Sequence, residues 1–229
     1  MRRAAIALLA VIAVACTSHQ SAAQKAAEKT AQKRESQARQ VARSAGLSPA
    51  VQDFLALYAR AADSAFTVTY GPSQAGSNIV LTQDPPLRRV DVVTQGVTRS
   101  VFVTKQGTYD CVQQDKQWAC QQAQQQEGTP GLLAPADIAR TAAELTAAKT
   151  NYTFAVTSRD IAGTGVRCLV TKPRPGVTGG SSTLCLSSLG AVLLVDGTGN
   201  PLQAVKYSTS VDDKKLQLPT TPEPPPIKP

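Results

Sequence analysis

Apolar residues first recur at helical spacing at Val51, Phe54, Leu55 and Tyr58, which predicts an amphipathic helix running to about Ala62. Ser48 stands where an N-cap belongs, and Pro49 occupies the first helical position. The pattern then switches to period two. Phe66, Val68 and Tyr70 alternate with Thr67 and Thr69, and residues 79–83, 89–94 and 100–105 continue as strands punctuated by Gly and Pro. Residues 108–122 read as a hairpin with a polar turn at 114–116. A second helix is predicted over 135–148, with Leu133 leading in and Ile138, Ala142 and Leu145 as its apolar stripe. A second β region follows at 152–156, 166–171, 183–187, 191–195 and 202–211. Helix, sheet, helix, sheet, without alternating βαβ units, predicts an α+β fold with an antiparallel sheet, one domain over residues 47–218.

The flanks have a different texture. Arg2 and Arg3 precede an unbroken apolar run of eleven residues, 4–14, too short for a bilayer core, which needs about 20. Ala13-Val14-Ala15-Cys16 resembles the lipobox of bacterial lipoproteins, with Ala13 where that family usually has Leu. The resemblance implies a signal peptide over 1–15 and a lipid-bearing Cys16 that anchors the chain to the outer face of a membrane. Such proteins carry several acyl chains, and more than one chain is what makes anchoring stable. Ala13-x-Ala15 also satisfies ordinary secretory cleavage.

Residues 16–46 are rich in Ala, Gln, Lys and Ser, and Val41 is the one strongly apolar side chain. High helix propensity without a strongly apolar stripe predicts a frayed, solvated helical tether outside any core. The chain has a formal charge of +8, and +6 once Arg2 and Arg3 are removed; this tether supplies four of those six. The basic balance therefore belongs to the anchor and suits anionic headgroups. With no aromatic interleaving, it does not suit nucleic acid. At the other end, residues 219–229 read P-T-T-P-E-P-P-P-I-K-P and predict an extended, disordered tail.

The five cysteines are Cys16, Cys111, Cys120, Cys168 and Cys185. If Cys16 carries lipid, four remain for two disulfides in an oxidising compartment. Four cysteines allow three connectivities. Local pairing, Cys111 with Cys120 and Cys168 with Cys185, is the choice that staples adjacent strands. The spacings are not those of zinc sites, and no CxxC motif points to redox work.

Little in the chain points to catalysis. The single histidine is His19, in the tether, which removes Ser-His-Asp and Cys-His chemistry from the domain. Gly163-Thr-Gly165 and Gly197-Thr-Gly199 are isolated turn-like fragments, and Asp212-Asp213 sits beside Lys214-Lys215 as a solvated turn. The expectation is a non-enzyme without metal or cofactor.

As a whole the pattern resembles the LolA/LolB-like superfamily of lipoprotein carriers, nearest the lipid-binding envelope lipoproteins of actinobacterial type. The resemblance rests on Val51-Gln-Asp-Phe-Leu55 leading into Phe66-Thr-Val-Thr-Tyr70, on Arg88-Arg-Val90, and on Val101-Phe-Val-Thr-Lys-Gln-Gly107. It continues through Leu184-Cys-Leu186, Gly190-Ala-Val-Leu-Leu194 and Ala204-Val-Lys-Tyr-Ser208. It implies a strongly curved antiparallel sheet, an incomplete barrel, with helices across its concave face and acyl chains held between. It transfers no catalytic residue. The candidate ligand-lining residues are Phe54, Phe66, Val68, Tyr70, Val101, Val103, Ile138, Leu145 and Phe154, with dry core packing as the alternative at each. Two functions stay open: a tethered binder or carrier of lipid or another hydrophobic ligand, and an envelope sensor that docks a partner protein.

Overall fold

The computed structural model describes residues 22–72, 76–123, 137–197 and 201–223. The expected signal peptide, Cys16, Leu133, Pro135 and the last six residues lie outside them. Among the described residues, three α-helices, α1 (Ala22–Ser44), α2 (Pro49–Arg60) and α3 (Ile138–Ala148), accompany eleven strands. These are β1 (Phe66–Tyr70), β2 (Asn78–Asp84), β3 (Leu87–Thr94), β4 (Val97–Val103), β5 (Thr108–Gln114) and β6 (Gln117–Gln122). After α3 come β7 (Tyr152–Ile161), β8 (Thr164–Pro173), β9 (Ser182–Leu186), β10 (Val192–Asp196) and β11 (Leu202–Ser208). All strand pairings are antiparallel, in one sheet of order β6-β5-β4-β3-β2-β1-β11-β10-β9-β8-β7, with β6 and β7 as its two ends. The fold is α+β, and the sheet is not closed into a barrel.

Two-residue turns keep this topology local. Gln95-Gly96, Asp115-Lys116 and Ala162-Gly163 join successive strands, with positive φ at both residues of each pair. That backbone matches the right-handed twist of the strands it connects.

α1 corrects the expectation of a solvated tether. Ala31, Ala38 and Ala42, spaced seven and four apart, are buried, and α1 packs along α2. Ala38 meets Ala56 and Ala59, so the two backbones approach closely through methyl groups. Charges counted as solvated are instead shared between the helices. Arg34 reaches Asp63 at 2.7 Å, Arg39 reaches Asp53 at 2.9 Å, and Arg60 lies 3.3 Å from Glu35 and 3.4 Å from Glu28. Such partly exposed pairs contribute about 0–1 kcal/mol each, so they orient the helices more than they stabilise them.

The α1–α2 corner is closed by a Schellman turn. The N–H of Gly46 donates to the Arg43 carbonyl (2.8 Å) and that of Leu47 to the Ala42 carbonyl (3.1 Å), with Gly46 at φ +64°. Leu47 and Ala42 belong to the same apolar cluster, the contact that usually accompanies this motif. From α3's end, Thr146 Oγ1 and Lys149 Nζ donate to the Ala45 carbonyl, both at 3.2 Å, tying three helix ends together.

Ser48 takes the N-cap position of α2 with extended backbone, but its side chain makes no capping bond. At α3 the cap is Asp137, whose carboxylate accepts the Arg140 N–H at 3.0 Å. α2 buries Val51, Phe54, Leu55, Ala56 and Ala59. A fully buried Phe or Leu contributes about 1.5–3 kcal/mol.

Two main clusters form the core. In one, Phe54, Leu55 and Ala142 of the helices meet Leu169, Leu186 and Val192. The other joins Phe66, Val68, Tyr70, Leu81 and Val90 to Val166, Cys168, Cys185 and Leu194. Cys168 and Leu169 are adjacent but belong to different clusters, as do Cys185 and Leu186. β8 and β9 therefore bury side chains on both faces, and so does β10, whose residues Val192 to Val195 read as an unbroken apolar run.

Both disulfides form as expected, Cys111–Cys120 and Cys168–Cys185, between residues directly opposite on neighbouring strands. Two disulfides indicate an oxidising, extracytoplasmic location.

The expected free tail also needs correction. After β11, Leu216 is buried, Leu218 packs on the Cys111–Cys120 cluster, and the Glu223 N–H donates to the Cys120 carbonyl at 2.8 Å. Glu223 thus forms a parallel bridge with Gln121 on β6, the strand at one end of the sheet.

Candidate functional site

Register places five of the nine candidate residues on one face of the sheet. Val68 lies opposite Leu81, Leu81 opposite Val90, and Val90 opposite Val101. Opposed residues share a face, as do residues two apart, so Phe66, Val68, Tyr70, Val101 and Val103 are coplanar in this sense. The face is graded. Phe66, Val68, Tyr70, Leu81 and Val90 are buried, Val92, Val101 and Val103 are half-buried, and Val112 is exposed.

The remaining candidates pack elsewhere. Phe54, Leu145 and Phe154 belong to the cluster between the helices and β7–β10, and Ile138 packs beside Ala38 and Ala59. The nine residues therefore divide among three packing clusters and the open valines. Phe54, Phe66, Val68 and Tyr70 are core residues at 0–2% exposure, filled in by their neighbours. Val101 and Val103 are half-buried and belong to none of these clusters, whereas Ile138, Leu145 and Phe154 are half-buried at the edges of theirs.

At the rim of that face stands Arg88, opposite both Gln83 and Val103. Its guanidinium donates twice to Gln83 Oε1, at 2.7 Å from Nε and through a short second contact from the terminal nitrogen. Gln83 is buried and in turn donates to the carbonyls of Ala61 (2.5 Å) and Ser64 (2.9 Å), the segment leaving α2. Arg88 has no carboxylate partner among the described residues, and its other N–H groups make no protein hydrogen bond there. Burial pushes its pKa down, while the neighbouring phenols of Tyr58 and Tyr70 act the other way. A cation without a counter-ion thus borders a half-open apolar face.

The opposite face of the same strands is closed. Arg89 stacks over Phe102 and Trp118, pairs with Asp91 at 2.6 Å and donates to the Lys215 carbonyl at 3.0 Å. That side is structural.

A second concavity was not anticipated. A cleft of about 610 Å³ opens between the α1–α2 hairpin and the β7–β8 hairpin. Arg39, Arg60, Arg159 and Arg167 border it, as do Glu35, Asp53 and Asp160. None of the nine candidates does. These charges come from three distant stretches of sequence, with no local motif to reveal them; only their convergence in the fold makes a site. No described helix is long and apolar enough to cross a membrane.

No family model matches the chain, and neither does any curated protein or solved structure.

Proposed function

We propose that the chain is a membrane-anchored extracytoplasmic lipoprotein that binds a lipid or other hydrophobic molecule against the β1–β4 face. The observation that carries this reading is the row of half-buried valines, Val92, Val101 and Val103, next to a counter-ion-free Arg88. Apolar surface with a few placed polar groups is the usual make-up of a small-molecule site. The LolA/LolB-like resemblance supports it, with a strongly curved sheet and helices against its concave side. One cluster drawing on both β1–β3 and β7–β10 favours curvature, whereas Phe54 and Leu55 of α2 pack with Leu169 and Leu186, on the other face of β8 and β9. Anchoring through Cys16 rests on the lipobox-like string and on the even number of cysteines consumed by disulfides.

The test is native mass spectrometry of the full chain exported through its own leader and released from membranes. A lipid-modified Cys16 peptide and a co-purifying hydrophobic ligand are expected, with ligand occupancy lost in Val101→Asp and Val103→Asp proteins that still unfold cooperatively. A ligand-free mass together with no uptake of added phospholipid would sink the reading.

One observation favours a second reading, a module docking a partner protein. β7 is a ten-residue strand at the end of the sheet, with Thr153, Ala155 and Thr157 exposed along it. Open strand edges invite strand addition from another chain. Crosslinking from Thr157 in intact cells distinguishes this reading from ligand binding.

A further inference from the structure

We propose that α1 lies flat on an anionic lipid surface and docks there through its outward face, Lys29, Lys33 and Arg43. The inference rests on the anchoring part of the reading above and adds to it which side of the domain meets the membrane.

The sorting of charge around the helix carries the inference. Lys29, Lys33, Ser36, Gln40 and Arg43 follow one another at steps of three or four residues, which places them in one row along α1. All five are exposed. Ala38 and Ala42, buried in the helix clusters, stand two residues beyond Ser36 and Gln40, about 200° around the axis. The row therefore faces away from α2. Both acidic residues of α1 are turned inward, Glu28 and Glu35 reaching Arg60 at 3.4 and 3.3 Å. Arg34 and Arg39 pair with Asp63 and Asp53. Lys29, Lys33 and Arg43 have no ion pair and no side-chain hydrogen bond among the described residues. Gln32, Gln37 and Ser44 flank the row, so no carboxylate interrupts it.

Position in the chain adds to charge. Ala22 begins α1 six residues after Cys16, and six residues reach about 20 Å when fully extended. An acylated Cys16 thus holds the start of α1 within about 20 Å of the headgroups. Attraction between exposed charges acts over about 10 Å in 0.1 M salt. In an upright helix, Arg43 would stand about 20 Å farther out than Lys29, beyond that range. Only a helix lying flat brings the whole row against the surface, where each basic side chain strengthens binding.

The test places the full chain, acylated at Cys16, in phosphatidylcholine vesicles with or without phosphatidylglycerol. Exposed amines are acetylated with a water-soluble reagent and located by peptide mass. Labelling of Lys29 and Lys33 should fall several-fold with phosphatidylglycerol and recover in high salt, while exposed Lys116 and Lys206 stay unchanged. A second arm sediments the unacylated chain with the same vesicles. Lys29→Gln, Lys33→Gln and Arg43→Gln together should weaken binding to phosphatidylglycerol about ten-fold or more. Lys105→Gln, Lys116→Gln and Lys206→Gln together make the same change in net charge and should leave binding unchanged. Equal loss in the two triple variants, or no preference for phosphatidylglycerol, overturns the docking face. Protection of Lys29 and Lys33 by soluble polyglutamate and not by vesicles would assign the face to an acidic polymer and overturn it too. An unmodified Cys16 in the exported protein would instead sink the anchoring, and the sedimentation arm, which needs no acyl group, still decides the face.

Discussion

Gly190, at φ +78° in the turn between β9 and β10, passes so close to α2 that a Cβ on it would collide with the Leu57 carbonyl oxygen. The same Cβ would stand 2.8 Å from the Ala61 nitrogen. Both obstacles are backbone, so neither can swing aside. The turn is also fixed from its other end, since the Ser187 hydroxyl accepts the Ala191 N–H at 3.1 Å. Gly190→Ala combines a left-handed backbone penalty with overpacking, about 3 kcal/mol or more together. Urea denaturation should show a lower midpoint at unchanged slope; a loss under 1 kcal/mol would mean that the turn and α2 are not in this contact.

The two disulfides close loops of 9 and 17 residues in sequence separation. The chain-entropy model then assigns each about 3 kcal/mol. Their surroundings differ. Cys168–Cys185 belongs to the main core, whereas Cys111–Cys120 packs with Phe102, Trp118 and Leu218. Replacing the first pair by alanine should lower the global unfolding midpoint. Replacing the second should also speed amide exchange along β5, β6 and residues 216–223. Uniform exchange in both variants would show that the C-terminal segment is held independently of that bridge.

What was legible in the sequence is what periodicity encodes. Alternation located β1, and apolar runs between Gly and Pro located β8 to β10, because buried faces leave a residue-level trace. The alternation predicts β7 only to Val156, whereas the strand continues to Ile161. Its last stretch, Thr157 to Asp160, is exposed and polar on both faces, as an edge strand tolerates, so no alternation marks it. α1 was misplaced for a different reason. Its buried stripe is Ala31, Ala38 and Ala42, and alanine does not stand out from a polar helix until a partner is near enough for its methyl to matter. The charged cleft was invisible because Arg39, Arg60 and Arg159 are far apart along the chain. Of the nominated ligand residues, the sequence could tell apolar from polar but not filled core from accessible face, which depends on what packs opposite.

The Asp115-Lys116 turn offers a gain in stability. Lys116 adopts φ 65° beside Asp115 at 51°, and its side chain is exposed. A β-carbon in that conformation costs about 1–2 kcal/mol, offset partly by the extra chain entropy glycine loses on folding. Lys116→Gly creates the Asp-Gly pair favoured in such hairpins and should raise stability by about 0.5–1 kcal/mol. Thermal unfolding reads this directly, and a decrease would show that the lysine side chain has a compensating contact.

Tyr70 sets an alkaline limit to stability. It is buried on β1, and its hydroxyl donates to the Val192 carbonyl at 2.8 Å. Burial pushes its pKa well above the ordinary phenol value, with the nearby Arg88 charge acting in the opposite direction. Burial raises Tyr58 and Tyr207 as well. A phenol whose folded-state pKa is raised contributes stability that is complete below the unfolded value, about 10, and is lost as pH climbs from there toward the folded value. The urea midpoint should therefore be unaffected by these groups below about pH 9.5 and then fall. Each tyrosine still protonated in the native state contributes about 1.4 kcal/mol per pH unit to that decline. Tyr70→Phe should cost about 1–3 kcal/mol near neutrality, because the Val192 carbonyl loses its donor, yet its alkaline limb should be shallower by one group's share. An unchanged alkaline slope in Tyr70→Phe would assign the limit to Tyr58 or Tyr207 instead, and the matching phenylalanine variants of those two would then identify which.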